Sequence, residues 1–264
     1  DLTELLVKEF EDTIDLLGAN NIGGFFAEPI QASGGVIVPP DGYLRRIREV
    51  CKSHNILFVA DEVVTAFGRL GHWFASEDEF GMIPDIICSA KGLSSGYLPI
   101  GAMIYSNEVH EVISQSESGY FTSGFTYAGH PVSCAAALKN IEIMERENIL
   151  KNAHDVGLYF ENKLANLNDL PLVGNVRGKK MMMCVENVAN KETKELLPDD
   201  LNVGKLISNK AEELGLLVRP LGHLNVMSPS LTITVEDIDF IELNLKKAIM
   251  SVTDDLVRSG HKIS

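Results

Sequence analysis

The sequence predicts an α/β chain: a mostly parallel sheet with one antiparallel strand, then a smaller α+β region. Three observations predict this. Apolar runs at 24–27 and 56–60 flank a helical pattern, and strand–helix–strand at that spacing is a crossover between parallel strands. Those two runs, and a third at 86–88, lead into Glu28, Asp61 and Lys91. In open α/β sheets, ligands bind just beyond the carboxyl ends of parallel strands, so two acids and an amine would face one crevice. After Pro171 short strands alternate with helices, the pattern of a small antiparallel sheet with helices.

Each element has its own signal. Leu2, Leu5, Leu6, Phe10, Ile14 and Leu17 recur at helical spacing, and Gly18 suits the turn past the end. Glu28-Pro29 ends the first strand, and 31–35 reads as a loop. Pro39-Pro40-Asp41 opens the next helix, with Asp41 as the expected N-cap. Tyr43, Leu44, Ile47, Val50 and Cys51 give that helix its apolar face. A long irregular connection with Gly68, Gly71 and Trp73 follows Asp61. The apolar run at 102–105 lies too close to Lys91 for a crossover, so it should run antiparallel to its predecessor. Residues 114–129 read as a polar, Gly/Ser-rich connection with interleaved aromatics. Pro131 fits the first turn of a helix, and a second helix is expected over 150–167.

Beyond it, strands are expected at 173–177, 181–185, 216–219 and 225–227, and a helix at 203–214 that stops at Gly215. Thr234-x-x-Asp237 resembles a capping box and starts the last helix. The expected division is a large domain, 1–149, which the resemblance given below makes the cofactor-binding one, and a small C-terminal domain, 150–264.

Composition excludes several classes. The chain has 264 residues, enough for a sizeable core. A formal net charge of -14 argues against a nucleic-acid partner, which needs a basic footprint. Cys51, Cys88, Cys134 and Cys184 form no patterned pair and read as buried thiols of a reducing, cytoplasmic compartment. No apolar run is long enough to span a membrane, so no membrane partner is expected.

The charged strand ends carry the chemistry. A lysine after a strand is ordinarily a solvated residue. Lys91, between an apolar strand and a glycine and beside other charged strand ends, instead suits a nucleophile toward carbonyls. The Asp61-Glu62 pair fits a general base, a loop cap or a partner for a protonated ring nitrogen. It does not fit a metal site, because no further ligands stand at coordinating distance in sequence. Gly92-Leu93-Ser94-Ser95-Gly96 matches the G-x-S-x-G of hydrolases, but Pro99 and a strand follow where the nucleophile elbow requires a helix. A serine hydrolase using Ser94 is therefore the outside reading.

AEPIQASGG, FVADEVVTAFGRLGHWFASE, PDIICSAKGLSSGYLPIGA, FTYAGHPVSCAAAL and VRPLGHLNVMSPSLTIT stand in this order. Together they resemble the class III aminotransferases, fold-type I pyridoxal-phosphate enzymes, and within them the ω-amino-acid:pyruvate group. The resemblance implies a cofactor, pyridoxal 5'-phosphate, held by Lys91 as a Schiff base. It implies that Asp61 keeps the pyridine nitrogen protonated and that Val63 packs on the ring. Thr126 resembles the threonine that meets a cofactor phosphate across a dimer interface, so a homodimer or larger assembly is implied. Arg219 resembles the arginine that binds the substrate carboxylate. Glu28 and Gln31 resemble residues just behind the ring and the substrate. Val64, Ala66, His223 and Ser230 depart from the family pattern, so the cofactor is implied more directly than the substrate.

The family's upstream phosphate loop and ring-covering aromatic have no match before Glu28, so the chain reads as the C-terminal larger part of such an enzyme. The implied reaction moves an amino group from an ω-amino acid or amine to pyruvate or another 2-oxo acid. A lyase or racemase on the same scaffold, or an inactive fragment, are the alternatives.

Overall fold

The computed structural model describes residues 1–117 and 119–264. They divide into two compact units. One comprises Asp1–Ile30, Pro39–Gly68 and His72–Leu150; the other comprises Gln31–Val38, Arg69–Gly71 and Lys151–Ser264.

The first unit is built on a four-stranded sheet in the order β1 (Gly24–Ala27), β2 (Leu57–Asp61), β3 (Ile86–Ser89), β4 (Ala102–Tyr105). β1–β2 and β2–β3 are parallel and β3–β4 is antiparallel, as the connection lengths require. Helix α1 (Leu2–Leu17) starts at Asp1, whose side chain accepts from the Thr3 N–H at 3.1 Å, and buries Thr3, Val7 and Ile14. It ends at Gly18, where φ is 79° and a side chain would be strained.

Helix α2 (Tyr43–Ser53) buries Leu44, Ile47, Val50 and Cys51. Asp41 is not its N-cap. Gly42 holds that position at φ 77°, a left-handed backbone that glycine adopts freely, and among the described residues no side chain caps the helix. The Asp41 carbonyl instead accepts from the Thr3 hydroxyl at 3.0 Å, tying α1 to the start of α2.

The rings of Phe10, Phe25 and Phe58 pack in series, the first pair edge-on at 4.9 Å between centroids and the second tilted at 5.4 Å. Phe58 is fully buried, worth about 2–3 kcal/mol in apolar transfer alone. At the amino end of the sheet Asp85 is buried. Its carboxylate accepts from the Phe58 N–H (2.7 Å) and from Arg48 of α2 (2.6 Å), which fixes the start of β2 against β3.

After a short helix α3 (Ala75–Asp78) and the strands β3 and β4, the chain forms α4 (Asn107–Gln115). This helix is not among the elements expected from the sequence, and its last two residues, 114–115, fall in the segment expected to be a connection. Ser106 caps α4, whose apolar stripe is short: Val109 and Ile113, one turn apart, are half-buried and the other seven residues are exposed. α5 (Pro131–Arg146) begins with proline in its first turn, where a missing N–H costs nothing.

The second unit carries an antiparallel sheet in the order β5 (Val173–Lys179), β6 (Met182–Asn187), β8 (Leu224–Met227), β7 (Arg219–Leu221). One face, with Met183, Val185 and Met227, packs on α6 (Ile149–Ala165), α7 (Val203–Glu213) and α8 (Val235–Arg258) through Phe160, Leu164, Ile207, Leu245 and Ile249. The strand expected at 216–219 lies later, at β7. Leu216 and Val218 are buried by core packing without joining the ladder, and pairing begins at Arg219↔Val226. Thr234 and Asp237 form the capping box of α8, each accepting from the other's backbone N–H. Gly204 permits α7 to meet the β7–β8 hairpin, because a Cβ there would lie 2.5 Å from the Leu224 oxygen. Among the described residues, no helix is long and apolar enough to cross a membrane.

Candidate active site

The parallel register brings three charged residues of the first unit to one sheet edge. Ala27 pairs with Ala60, so Glu28 lies level with Asp61, and Asp61 pairs with Cys88, three residues before Lys91. Asp61 is the last residue of β2 and is half-buried. One of its oxygens accepts from the Val63 N–H at 3.0 Å; the other has no hydrogen bond among the described residues. An acid with one oxygen fixed and one open is ready for an external N–H donor. Burial, and then the Asp61 charge, push the Cys88 thiol above its ordinary range. That thiol is therefore protonated and does not compete as a nucleophile.

Lys91 is exposed and opens a 3₁₀ turn over Lys91–Leu93. Its φ is 38°, left-handed for a residue with a side chain, and such strain persists only where the surroundings fix it. Two features do so here. Asn140 of α5 donates its Nδ2 to the carbonyls of Gly92 (2.9 Å) and Leu93 (3.1 Å) and accepts from the Ser95 hydroxyl at 2.8 Å. Gly92 lies against Phe67, where a Cβ would meet the Phe67 Cβ at 2.9 Å. Asn140 stands in a helix remote from Lys91 along the chain, and no local pattern points to it.

The Asp61-Glu62 pair divides its work. Glu62 is fully buried and accepts from the Thr65 hydroxyl (3.0 Å), the Ala75 N–H (2.8 Å), the Ser76 N–H (2.8 Å) and the Ser76 hydroxyl (2.5 Å). It is the loop cap of the three readings open for the pair, and it closes the loop that follows Asp61 onto the start of α3. Val63 is half-buried within that loop. Thr126 lies in a turn of the first unit, exposed between Phe125 and Tyr127, which are 84% and 79% exposed.

Gln31 and Arg219 belong to the second unit. Gln31 is exposed at the mouth of a closed loop, where it exchanges backbone hydrogen bonds with Ile37 at 3.1 and 3.0 Å. Arg219 is exposed at the start of β7, with no side-chain hydrogen bond among the described residues. Arg69, in the same unit, is mostly buried and donates to the carbonyls of Met181 (3.0 Å) and Pro229 (2.6 Å). Burial lowers its pKa to about 10, so it remains a cation at neutral pH.

The hydrolase reading finds no support at Ser94. Its hydroxyl is buried and donates to the Leu98 carbonyl at 2.7 Å, within its own turn. An activated serine needs a base that accepts its proton, not a backbone carbonyl.

Comparison with known proteins follows the same lines. Residues 1–249 match the family described as Aminotransferase class-III. The chain is 43% identical over 233 residues to a putrescine–pyruvate aminotransferase of Pseudomonas aeruginosa, covering 88% of this chain and 50% of that protein. It is 42% identical over 236 residues to the mitochondrial gamma aminobutyrate transaminase 1 of Solanum lycopersicum, covering 89% and 46%. A PLP-bound amine transaminase structure from an uncultivated Pseudomonas species superposes with a TM-score of 0.91 at 40% identity, covering 95% of this chain and 57% of that one. The chain thus spans about half the length of the curated relatives it matches. Matched over nearly its whole span, with an acid and an amine at the ends of neighbouring parallel strands, the chain belongs to the class III aminotransferases.

Proposed function

We propose that this chain is the part of a pyridoxal-phosphate transaminase that carries the reacting lysine. The proposed reaction moves an amino group from an ω-amino acid or amine to pyruvate or another 2-oxo acid. Class III aminotransferases are pyridoxal-phosphate enzymes. The observation that carries the reading is the register of β2 and β3, which sets Asp61 and the Lys91 turn at one edge of one sheet. The donor set suits this cofactor: an acid with an open oxygen, a primary amine and, next to the lysine in the chain, a glycine packed on Phe67.

When bound, the cofactor supplies an electron sink for the substrate carbon. Asp61 and Lys91 would hold it, Val63 would pack on its ring, and Thr126 of a second subunit would meet its phosphate. The open oxygen of Asp61 would accept from the ring nitrogen and favour its protonated form, because a carboxylate stabilises a cationic donor. Lys91 Nζ would be the amine that holds the cofactor. Lys91 would be the general base that takes a proton from the substrate carbon and the general acid that returns it. Arg219 binds a substrate carboxylate through its planar fork. Glu28 would support the ring, and Gln31 the substrate. A homodimer is part of this reading, supported by the exposure of Thr126 and its aromatic neighbours.

The test is to add pyridoxal phosphate, reduce with borohydride and map the modified peptide. A label on Lys91 that is lost in Lys91→Ala is the expected result; a label that stays on another lysine sinks the assignment. Release of ammonia without transfer to a 2-oxo acid would favour the lyase.

A further inference from the structure

The second unit holds a charged relay that the proposed reaction does not use. On the sheet face opposite the apolar core, Arg177 of β5 and Glu186 of β6 form an ion pair. The other oxygen of Glu186 lies 3.2 Å from His223 Nε2. His223 stands in the turn between β7 and β8, so it shares a hairpin with Arg219. Its carbonyl is fixed by Asn187, which donates its N–H (3.1 Å) and Nδ2 (2.7 Å).

At the far end of the relay, Arg177 donates its Nε to the Gly35 carbonyl at 2.8 Å. Gly35 belongs to the closed loop 31–37 that begins with Gln31. A Cβ on Gly35 would meet Leu224 Cδ1 at 2.6 Å and Arg177 Nη2 at 3.1 Å, so the loop sits directly on the sheet. The next residue, Val36, is fully buried at φ 55°, a conformation a β-branched residue adopts only under constraint.

We propose that Glu186 is a positioning residue, which through Arg177 and His223 locks the Gln31 loop and the Arg219 hairpin to one another and so fixes the carboxylate-binding side of the substrate site. The positional part stands on the geometry; the substrate part rests on the transaminase reading. Glu186 suits the task because it is a single rigid acceptor between two donors from different elements. Burial raises its pKa, but Arg177 and then His223 outweigh burial and hold the carboxyl below its ordinary range. It is therefore ionised through the neutral range, when both partners are needed. Arg177 suits it because the guanidinium has separate donors for Gly35 and for Glu186; an ammonium has one centre.

The test combines amide hydrogen exchange with kinetics on Glu186→Gln and Arg177→Lys. Glu186→Gln keeps the shape and removes the charge, so it tests the lock without opening a cavity. Both variants should speed exchange at 31–37 by about tenfold or more, with 57–61 and the core of α8 unchanged. In Glu186→Gln the KM for carboxylate-bearing amino donors should rise about tenfold, with kcat and the KM for plain amines within about twofold. Unchanged exchange at 31–37, or a rise spread evenly over the chain, overturns the lock. Equal KM losses for both donor types overturn its role toward the carboxylate. Absence of transamination in the unmodified protein would instead sink the transaminase reading, and the exchange result would still decide the lock.

Discussion

Ser76 gives both its backbone N–H (2.8 Å) and its hydroxyl (2.5 Å) to a single oxygen of Glu62, while Ala75 and Thr65 supply the other oxygen. Four donors on one buried carboxylate make Glu62 the pin of the whole loop between β2 and α3. Because Glu62 follows Asp61 directly, the same pin fixes the backbone that aims the Asp61 side chain.

Glu62→Ala should therefore cost about 3 kcal/mol, since it removes charge-assisted hydrogen bonds and strands buried donors. Glu62→Gln should cost less, because one amide oxygen still serves Ser76 or Ala75. Chemical denaturation of both variants checks this. An alanine variant as stable as the parent would mean the pin carries no load.

Gly92→Ala tests the close packing behind Lys91. The new Cβ would meet the Phe67 Cβ at 2.9 Å and the carbonyls of Phe67 and Ala66 at 3.3 and 3.4 Å. Phe67 cannot retreat easily, as its ring packs edge-on against Trp73 and Phe74. The turn must shift instead, at about 1–3 kcal/mol, and carry Lys91 with it. Thermal melting should fall, and borohydride should fix less cofactor on Lys91. Unchanged values for both would show that the turn has room to spare.

The sheet was legible because its signals are local. Apolar runs at 24–27 and 86–88 met turn residues at both ends, and the short link to 102–105 left only antiparallel pairing. The Thr234 and Asp237 pair announced α8 for the same reason. What stayed hidden depends on partners distant in sequence. Nothing near Glu62 says that its donors are Ala75 and Ser76, and nothing near Lys91 points to Asn140. Helix α4 is nine residues long with a stripe of only Val109, Val112 and Ile113, a signal that stands in the sequence beside the Ser106 cap, whereas β7 starts later than its apolar residues suggest because Leu216 and Val218 are apolar for core packing. Asp41 was read as a cap from its residue type, whereas the backbone there calls for a positive φ that Gly42 provides.

Asp61→Asn has two consequences that can be measured separately. The neutral amide cannot hold a protonated ring nitrogen, so turnover should fall by orders of magnitude. It also removes one of two causes that raise the Cys88 pKa; burial, the larger cause, remains. The thiol should therefore titrate lower than in the parent but still above an unperturbed cysteine. Alkylation of Cys88 followed against pH reads this: the rise in rate should move to lower pH. No movement would place the Asp61 charge too far from the sulfur to matter.

Arg219→Ala separates binding from folding. The guanidinium is exposed and makes no hydrogen bond among the described residues, so its loss should leave denaturation midpoints within about 0.5 kcal/mol of the parent. The backbone of Arg219 pairs with Val226 and does not depend on the side chain. A bidentate contact to a carboxylate is worth about 1.5–3 kcal/mol, so the KM for carboxylate-bearing donors should rise by roughly ten- to a hundredfold. Donors without a carboxylate should be spared, because they never used the fork. Arg219→Lys should recover only part of the loss: an ammonium keeps the charge but not the planar pair of donors. Steady-state kinetics on a matched pair, one amine with and one without a carboxylate, decides the matter. A loss shared by both would mean that Arg219 shapes the hairpin, and a destabilised variant would mean that its side chain supports the fold.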